Sequence, residues 1–366
     1  MGDQGETADW MGRTLELAAR ADFQTSPNPM VGALVVSDGS VVGSGYHARA
    51  GLAHAEVVAL ERAGAAARGA DLWVSLEPCC TSGRTGPCTE RIIHAGIRRV
   101  HVATQDPNPL VSGRGIAALR EAGVEVEVGE REAEAKRLIE PYSVWVTTGL
   151  PFISIKVAMS LDGRTATASR QSQWITSEEA RAEAHSLRHS HDAVLVGSQT
   201  VMDDDPALTA RYSYEGGRQP WRVVLDGRLR TPPSSRLLAP GGGPVVIFTS
   251  PASAPRRGPL EAAGARVVPV PGRQGRPAIR AALNRLARMG VVSVLVEGGP
   301  TLLASLQEER LGNRLVVFMA PTVLGGQEAP GAFGGEGAAL IYQGWRWRFT
   351  QVTAVGGDLR IEAEAA

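Results

Sequence analysis

The sequence predicts two consecutive α/β domains. Three observations predict them. The chain's 366 residues exceed one typical core. Strand-length apolar runs alternate with amphipathic helical stretches through both halves. At "VTTGLP" (146–151) the pattern ends and then restarts. The expected domains are residues 1–148 and 149–366.

In the first half, residues 9–22 read as a helix with Met11, Leu15, Ala18 and Ala19 on one face. "VGALVVSDGSVVGSGYH" reads as strand, Asp38-Gly39 turn, strand. A helix runs from about His54 to Ala63 and ends at Gly64. "DLWVSLEP" is a strand, "CTERIIHAG" a helix, "RRVHVAT" a strand, "GRGIAALREAG" a helix and "VEVEVG" a strand. A charged helix follows from about Arg131 to Tyr142. This order predicts a largely parallel sheet behind an initial hairpin.

In the second half, "PFISIKVAMS" is a strand and "TSEEARAEAHSLRHS" a helix, with Thr176 and Glu179 spaced as a capping box. "DAVLVG", "WRVVLD", "PVVIFTS" and "ARVVPV" are further strands. "AIRAALNRLARMG" is a helix, "VVSVLVEGG" a strand, "TLLASLQEE" a helix and "NRLVVFMAP" a strand. Residues 241–244 and 251–259, rich in Gly and Pro, read as surface loops.

Composition excludes several classes. Lys plus Arg equals Asp plus Glu, at 38 each, so no basic excess advertises a nucleic-acid surface. No apolar run approaches the roughly 20 residues that span a bilayer, and "MGDQGETADW" is too polar for a signal peptide. A cytoplasmic protein is expected, with no membrane partner. All three cysteines stand between 79 and 88. In a reducing compartment such a cluster more often binds metal or does chemistry than forms a disulfide framework.

A catalytic zinc keeps three protein ligands and one position open to water. His54, Cys79 and Cys88 suit that role, because two thiolates neutralise the dication and an imidazole completes the set. Both cysteines adjoin a predicted helix start, where thiolate is favoured over thiol. Glu56 follows His54 by two residues, within reach of the open position without being a ligand. It is the candidate general acid and base. The His-x-Glu and Pro-Cys pieces match the zinc deaminase signature, although eight residues separate Cys79 from Cys88 where nucleic-acid deaminases have two. On residues alone a structural zinc, with Cys80 or His94 as fourth ligand, stays open.

"SPNPMVGALVV", "GYHARAGLAHAE", "SLEPCCTSGRTGPC" and "DPNPLVSGRG" resemble the deaminase half of the bifunctional riboflavin-biosynthesis deaminase-reductases. "IKVAMSLDGRTA", "SQWITS", "VGSQTVMDDDPALTAR" and "VEGGPTL" resemble the reductase half, so the resemblance covers nearly the whole chain in order. It implies a three-layer cytidine-deaminase-like domain followed by a dihydrofolate-reductase-like α/β domain. It also implies zinc hydrolysis of the 2-amino group of a diaminopyrimidinone ribosylamine 5′-phosphate. NADPH then reduces the ribosyl group to ribityl. Small-molecule partners are implied, and the family often forms homo-oligomers. "LVVFMAP" serves equally as an interface strand or as core.

The resemblance places the zinc ligands at His54, Cys79 and Cys88 and the proton shuttle at Glu56. It places substrate contacts at Asn28, His47 and Arg84, and a forked guanidinium suits a phosphate. In the second half it places substrate contacts at Lys156, Ser172, Arg188, Leu208, Arg211 and Glu297. Cofactor contacts fall on Ala158, Trp174, Thr200, Asp204, Gly227, and Gly299, Pro300 and Thr301 onward to about Ser305. Lys156 also reads as an edge-strand lysine pointing to water. No Gly-x-Gly-x-x-Gly follows residue 151, so "EGGPTLLASL" is the phosphate-holding candidate, with glycines between strand and helix.

Two departures stand out. Cys80-Thr81 replaces the family's Ser-His, and Gly227 replaces a serine that touches the cofactor in some relatives. The first keeps an alternative open: a related deaminase-reductase of a specialised pathway acting on a similar pyrimidine.

Overall fold

The computed structural model describes residues 9–81, 86–211 and 217–366. They divide into two compact units, Met1–Gly149 and Leu150–Ala366.

The first unit opens with α1 (Trp10–Ala19), whose first turn is capped by the Asp9 carboxylate accepting from Gly12 N at 2.8 Å. It buries Met11, Thr14, Leu15 and Ala18, while Ala19 is exposed rather than on the buried face. Strands β1 (Gly32–Ser37) and β2 (Ser40–Tyr46) form the expected hairpin. Asp38 and Gly39 both have positive φ, 48° and 71°, as a two-residue turn matched to strand twist requires. There follow α2 (Ala55–Ala63), β3 (Asp71–Val74), α3 (Cys88–Ala95), β4 (Arg99–Val102), α4 (Arg114–Glu121) and β5 (Glu125–Val128). The sheet order is β2-β1-β3-β4-β5, antiparallel at the hairpin side and parallel from β3 to β5.

Period-two alternation makes this unit three layers. Ala33, Val35, Leu72 and Val74 pack with residues of α2, α3 and α4, whereas Leu34, Val36 and Trp73 pack with Met11 of α1 and Ala135. The charged helix after β5 is broken into α5 (Glu132–Leu138) and α6 (Glu140–Thr148). Pro141 has no N–H to continue the first helix but fits the first turn of a second. Helix therefore runs past Tyr142 to Thr148, and Gly149 ends it at φ 71°.

The second unit comprises β6 (Phe152–Ser160), α7 (Glu178–His189), β7 (Ala193–Gly197), α8 (Ser198–Asp204), β8 (Trp221–Leu225), β9 (Val245–Thr249) and α9 (Gly258–Ala262). Next come β10 (Arg266–Pro269), the small ribbon β11 (Gly272–Arg273) and β12 (Arg276–Pro277), α10 (Ile279–Arg288), β13 (Ser293–Val296) and α11 (Pro300–Glu309). The chain closes with β14 (Arg314–Ala320), β15 (Trp347–Val355) and β16 (Asp358–Ala365). The main sheet has order β10-β9-β8-β7-β13-β6-β14-β16-β15, parallel from β10 to β14, with the last two strands antiparallel. Leu195, Val223, Phe248 and Val294 pack with α10 and α11 on one face, and Val194, Val224, Ile247 and Leu295 form the core of the other.

Three expectations change. Ser177, not Thr176, caps α7, accepting from Ala180 N at 3.2 Å. The shift puts Ala180 at the third helical position, so no Glu reaches back and no capping box forms. The "LVVFMAP" strand, β14, lies between β6 and β16, so both its ladder sides are taken within the sheet. The β15–β16 hairpin was not foreseen from sequence, because β15 is exposed along most of its length and offers no apolar face to read.

Candidate active sites

In the first unit, three chain segments converge. His54 is the N-cap residue of α2, Cys79 ends the stretch leaving β3, and Cys88 opens α3. His54 Nδ1 lies 3.3 Å from Cys88 Sγ and 3.6 Å from Cys79 Sγ, and the three donor atoms sit within 4.8 Å of one another. The backbone N–H of Cys88 donates to Cys79 Sγ at 3.4 Å. Hydrogen bonding from Cys88 and His54 holds the Cys79 thiol down at about 4 despite its burial. The Cys88 thiol is pushed up by the hydrogen bond it gives to Cys79 and by burial.

Glu56, in the first turn of α2, is buried at 3 % exposure, and burial followed by the Cys79 charge raises its carboxyl. Two thiols and a carboxyl thus crowd one imidazole. That deficit of positive charge, with two sulfurs and one nitrogen in reach of one point, fits a zinc ion.

His47 sits beside this cluster, its ring edge-on to His54 with centroids 5.4 Å apart. Its Nδ1 donates to Ala53 O at 3.1 Å and its Nε2 accepts from Asn28 Nδ2 at 3.2 Å. Burial lowers its pKa. Arg84 lies outside the described residues. Cys80 is half-buried next to the cluster and is not among the three converging donors.

The sequence reading missed Glu77. Its carboxylate is 3 % exposed and accepts four backbone N–H groups: Asp106 N at 3.1 Å, Gly113 N at 2.9 Å, Gly115 N at 2.8 Å and Ile116 N at 3.2 Å. It does for α4 what no local side chain does, since Gly113 is the N-cap there. Gly115 packs directly on the Pro78 carbonyl, leaving no room for a side chain. The segment carrying Cys79 is thereby tied to residues 106–116. No motif marks such a residue in sequence, since its partners lie 29 to 39 positions on in the chain.

In the second unit, a cavity of about 1270 Å³ opens beside β6, α7, α8 and the turn from β13 to α11. It exceeds the roughly 300–1,000 Å³ of a drug-sized pocket and has room for a dinucleotide and a second molecule. Lys156, Ala158, Ser172, Trp174, Arg188, Thr200, Asp204, Leu208, Arg211, Glu297, Gly299, Pro300 and Thr301 all line it. Gly227 does not.

Arg188 grips Glu297 bidentately, Nε to Oε1 at 2.6 Å and Nη2 to Oε2 at 2.9 Å, and donates Nη1 to Thr209 O at 3.1 Å. Burial pushes Glu297 up, but Arg188 and then Lys156 outweigh it and hold the carboxyl at about 2. Lys156 stands on β6, an interior strand, so the edge-strand reading is corrected. Burial lowers its pKa, and Glu297 offsets part of that. Ser172 Oγ donates to Asp204 Oδ1 at 3.3 Å, and the Arg181 guanidinium covers the Trp174 ring at 4.6 Å. Leu208 is 1 % exposed and belongs to the core.

His185 was also missed. It lines the cavity one turn before Arg188 on α7, a spacing of three that would have revealed it. Burial, then Arg188 and Arg211, lower it to about 4. Gly299 is the N-cap of α11 without a side-chain bond; Pro300 has no N–H, the Leu302 and Leu303 N–H groups donate to Gly299 O, and Gly299, Pro300 and Thr301 line the cavity. At Gly227 a side chain would run into the Gly275 carbonyl, so the serine of some relatives has no room here.

Known proteins resemble the chain along its whole length. The cytidine and deoxycytidylate deaminase zinc-binding region matches residues 5–104, and the RibD C-terminal domain matches residues 151–361. The riboflavin biosynthesis protein RibD of Bacillus amyloliquefaciens is 43% identical over 355 residues, covering 97% of this chain and 95% of the relative. That of Escherichia coli K12 is 40% identical over 361 residues, covering 96% and 97%. The solved structure of Acinetobacter baumannii RibD superposes with TM-score 0.89 at 36% identity, covering 98% of each chain. A diaminohydroxyphosphoribosylaminopyrimidine deaminase/5-amino-6-(5-phosphoribosylamino)uracil reductase from Thermotoga maritima gives TM-score 0.85 at 32% identity, covering 98% and 99%.

Proposed function

The chain belongs to the RibD family of riboflavin-biosynthesis deaminase-reductases, and we propose that it performs both of that family's steps in order. The first unit removes the 2-amino group of 2,5-diamino-6-ribosylamino-4(3H)-pyrimidinone 5′-phosphate, water supplying the oxygen and ammonia leaving. The second unit reduces the ribosyl group of the product to ribityl. The observation that carries this reading is the convergence of His54, Cys79 and Cys88 beside buried Glu56 in a chain whose relatives match it end to end. The specialised-pathway alternative is not favoured, since the relatives named above are riboflavin enzymes.

Bound zinc makes water a nucleophile near neutral pH, and bound NADPH supplies a hydride. The chain's own residues do the rest. His54, Cys79 and Cys88 hold the metal. Glu56 takes a proton from the attacking water and hands it to the departing nitrogen. Asn28 and His47, locked together by their hydrogen bond, present a fixed polar edge to the pyrimidine, and Arg84 holds the phosphate.

In the second unit, Lys156, Ser172, Arg188, Leu208, Arg211 and Glu297 seat the ribosyl phosphate. Ala158, Trp174, Thr200, Asp204 and the Gly299–Thr301 turn seat the cofactor. The Arg188–Glu297 grip fixes both side chains, so the ribosyl carbon is oriented rather than searched for. Homo-oligomeric assembly, a cytoplasmic location and the absence of a nucleic-acid or membrane partner belong to the same reading. Among the described residues no helix is long and apolar enough to cross a membrane.

The test is product analysis without NADPH. One ammonia should be released per substrate, leaving a product in which oxygen replaces the 2-amino group. Adding NADPH should then convert that product alone. Ammonia from cytidine or from RNA, and none from the pyrimidine ribosylamine phosphate, would contradict the reading.

A further inference from the structure

One titratable group on the wall of the second unit's cavity has no role in the chemistry assigned so far. His185 stands on α7 one turn before Arg188 and is half-buried. Its Nδ1 lies 3.3 Å from Thr209 O. A carbonyl oxygen only accepts, so Nδ1 carries the proton and donates it. In the neutral ring Nε2 is then an acceptor. Burial, Arg188 and Arg211 hold the imidazole at about 4, so it is neutral near neutral pH.

The ring is fixed before any ligand enters. Thr209 O also accepts from Arg188 Nη1 at 3.1 Å, so one carbonyl anchors both side chains. The segment carrying that carbonyl is pinned on each side. Leu208 is sunk into the core. Gln219 donates Nε2 to Ala210 O and accepts from Ala210 N, both at 3.0 Å. Tautomer and ring direction are thus set by the protein.

Nε2 takes part in no hydrogen bond among the described residues, and protein does not enclose it. It therefore opens to the cavity that the residue lines. The charged groups that face it are Arg188, Arg211 and Glu297. The two guanidiniums are donors only, and both Glu297 oxygens are gripped by Arg188. A phosphate asks for donors. A hydroxyl also asks for an acceptor to take its proton, and a fixed neutral acceptor among cations suits that need.

We propose that His185 Nε2 accepts a hydrogen bond from a secondary hydroxyl of the ribosyl group, which makes His185 a specificity residue of the reduction. The inference rests on the reductase reading above and adds a residue which that reading does not assign. A site that hydrogen-bonds a hydroxyl rejects the analogue lacking it, so His185 would select ribosyl over deoxyribosyl substrates.

The test is NADPH oxidation by the zinc-loaded full chain, started from 5-amino-6-(5-phosphoribosylamino)uracil and from its 2′-deoxy and 3′-deoxy analogues. The readout is the preference, the ratio of kcat/KM for the ribosyl compound to that for each analogue. Comparing ratios between parent and variant cancels the analogues' own reactivity. His185→Phe keeps a ring but no nitrogen, and its preference against one analogue should fall about ten-fold from the parent's. His185→Gln, whose amide oxygen can accept, should keep most of the parent's preference. Thr209 O retains its Arg188 bond in both variants, so NADPH binding and the urea midpoint should match the parent's. Where phenylalanine disturbs the fold, His185→Ala makes the same comparison. An unchanged preference against both analogues would overturn the proposal. So would an equal loss of rate on all three compounds, the result of a phosphate contact or a purely structural role. If the parent oxidised no NADPH with the ribosyl compound, the reductase reading itself would fall.

Discussion

Replacing Glu77 by glutamine isolates the clamp behind the first site. The parent carboxylate accepts four buried N–H groups at 2.8–3.2 Å. Glutamine keeps one acceptor oxygen and turns an NH₂ toward the other two donors. Two charge-assisted bonds are lost and two N–H groups face a donor. At about 1.5–3 kcal/mol for each bond to a charged group, the loss is about 4 kcal/mol. That is a large share of the roughly 5–15 kcal/mol that holds a domain folded. With a slope of about 2 kcal/mol per molar urea, the first unit's unfolding midpoint falls by about 2 M. The assay is urea unfolding of the zinc-loaded chain, with zinc release reporting on the first unit and dinucleotide binding on the second. The second unit's midpoint stays where it was. A first-unit midpoint within about 0.3 M of the parent's would refute the reasoning.

Three further outcomes are expected. Glu56→Ala retains zinc by metal analysis and loses ammonia release by about 10²–10⁴-fold, the usual weight of a general acid-base group; release at the parent rate would remove Glu56 from the proton path. Glu297→Ala strands the buried Arg188 guanidinium, abolishes NADPH oxidation, leaves ammonia release intact and costs about 3–5 kcal/mol in the second unit; unfolding curves and the two separate assays check it. His191, which bonds Leu187 O and Ser154 Oγ at 2.7 Å each, is held by burial at about 4 against 6.5 when unfolded. The fold therefore accepts the neutral ring: its contribution is full above pH 6.5 and drains as pH falls toward 4, by about 3 kcal/mol. His185 drains in the same window, so His191→Gln should cut the acid-side slope of stability by one proton rather than abolish it.

Much of the fold was legible because its cause is local. The Asp38-Gly39 turn, the alternation of Val35 with Leu34 and Val36, and the glycines closing α2 and α3 act within a few residues. The zinc cluster was legible because cysteine is scarce and its ligand chemistry narrow. What escaped depends on distant partners. Glu77 has meaning only once α4 presents its N-terminus, and the Arg188–Glu297 grip joins residues 109 positions apart. The β15–β16 hairpin is specified by pairing with β14, not by an apolar face of its own. At the N-cap of α7, Ser177 N is held by Asp358 Oδ2 at 2.7 Å, a contact from the far end of the chain.

The most direct measurement is NADPH oxidation started from the undeaminated diaminopyrimidinone ribosylamine phosphate. The account predicts that NADPH is consumed, that a zinc chelator stops it, and that supplying the deaminated compound restores it in the chelator's presence. If NADPH stayed untouched with the first compound and was consumed with the second, the deaminase half of the account would be contradicted. If it stayed untouched with both, the two-step assignment would be contradicted as a whole.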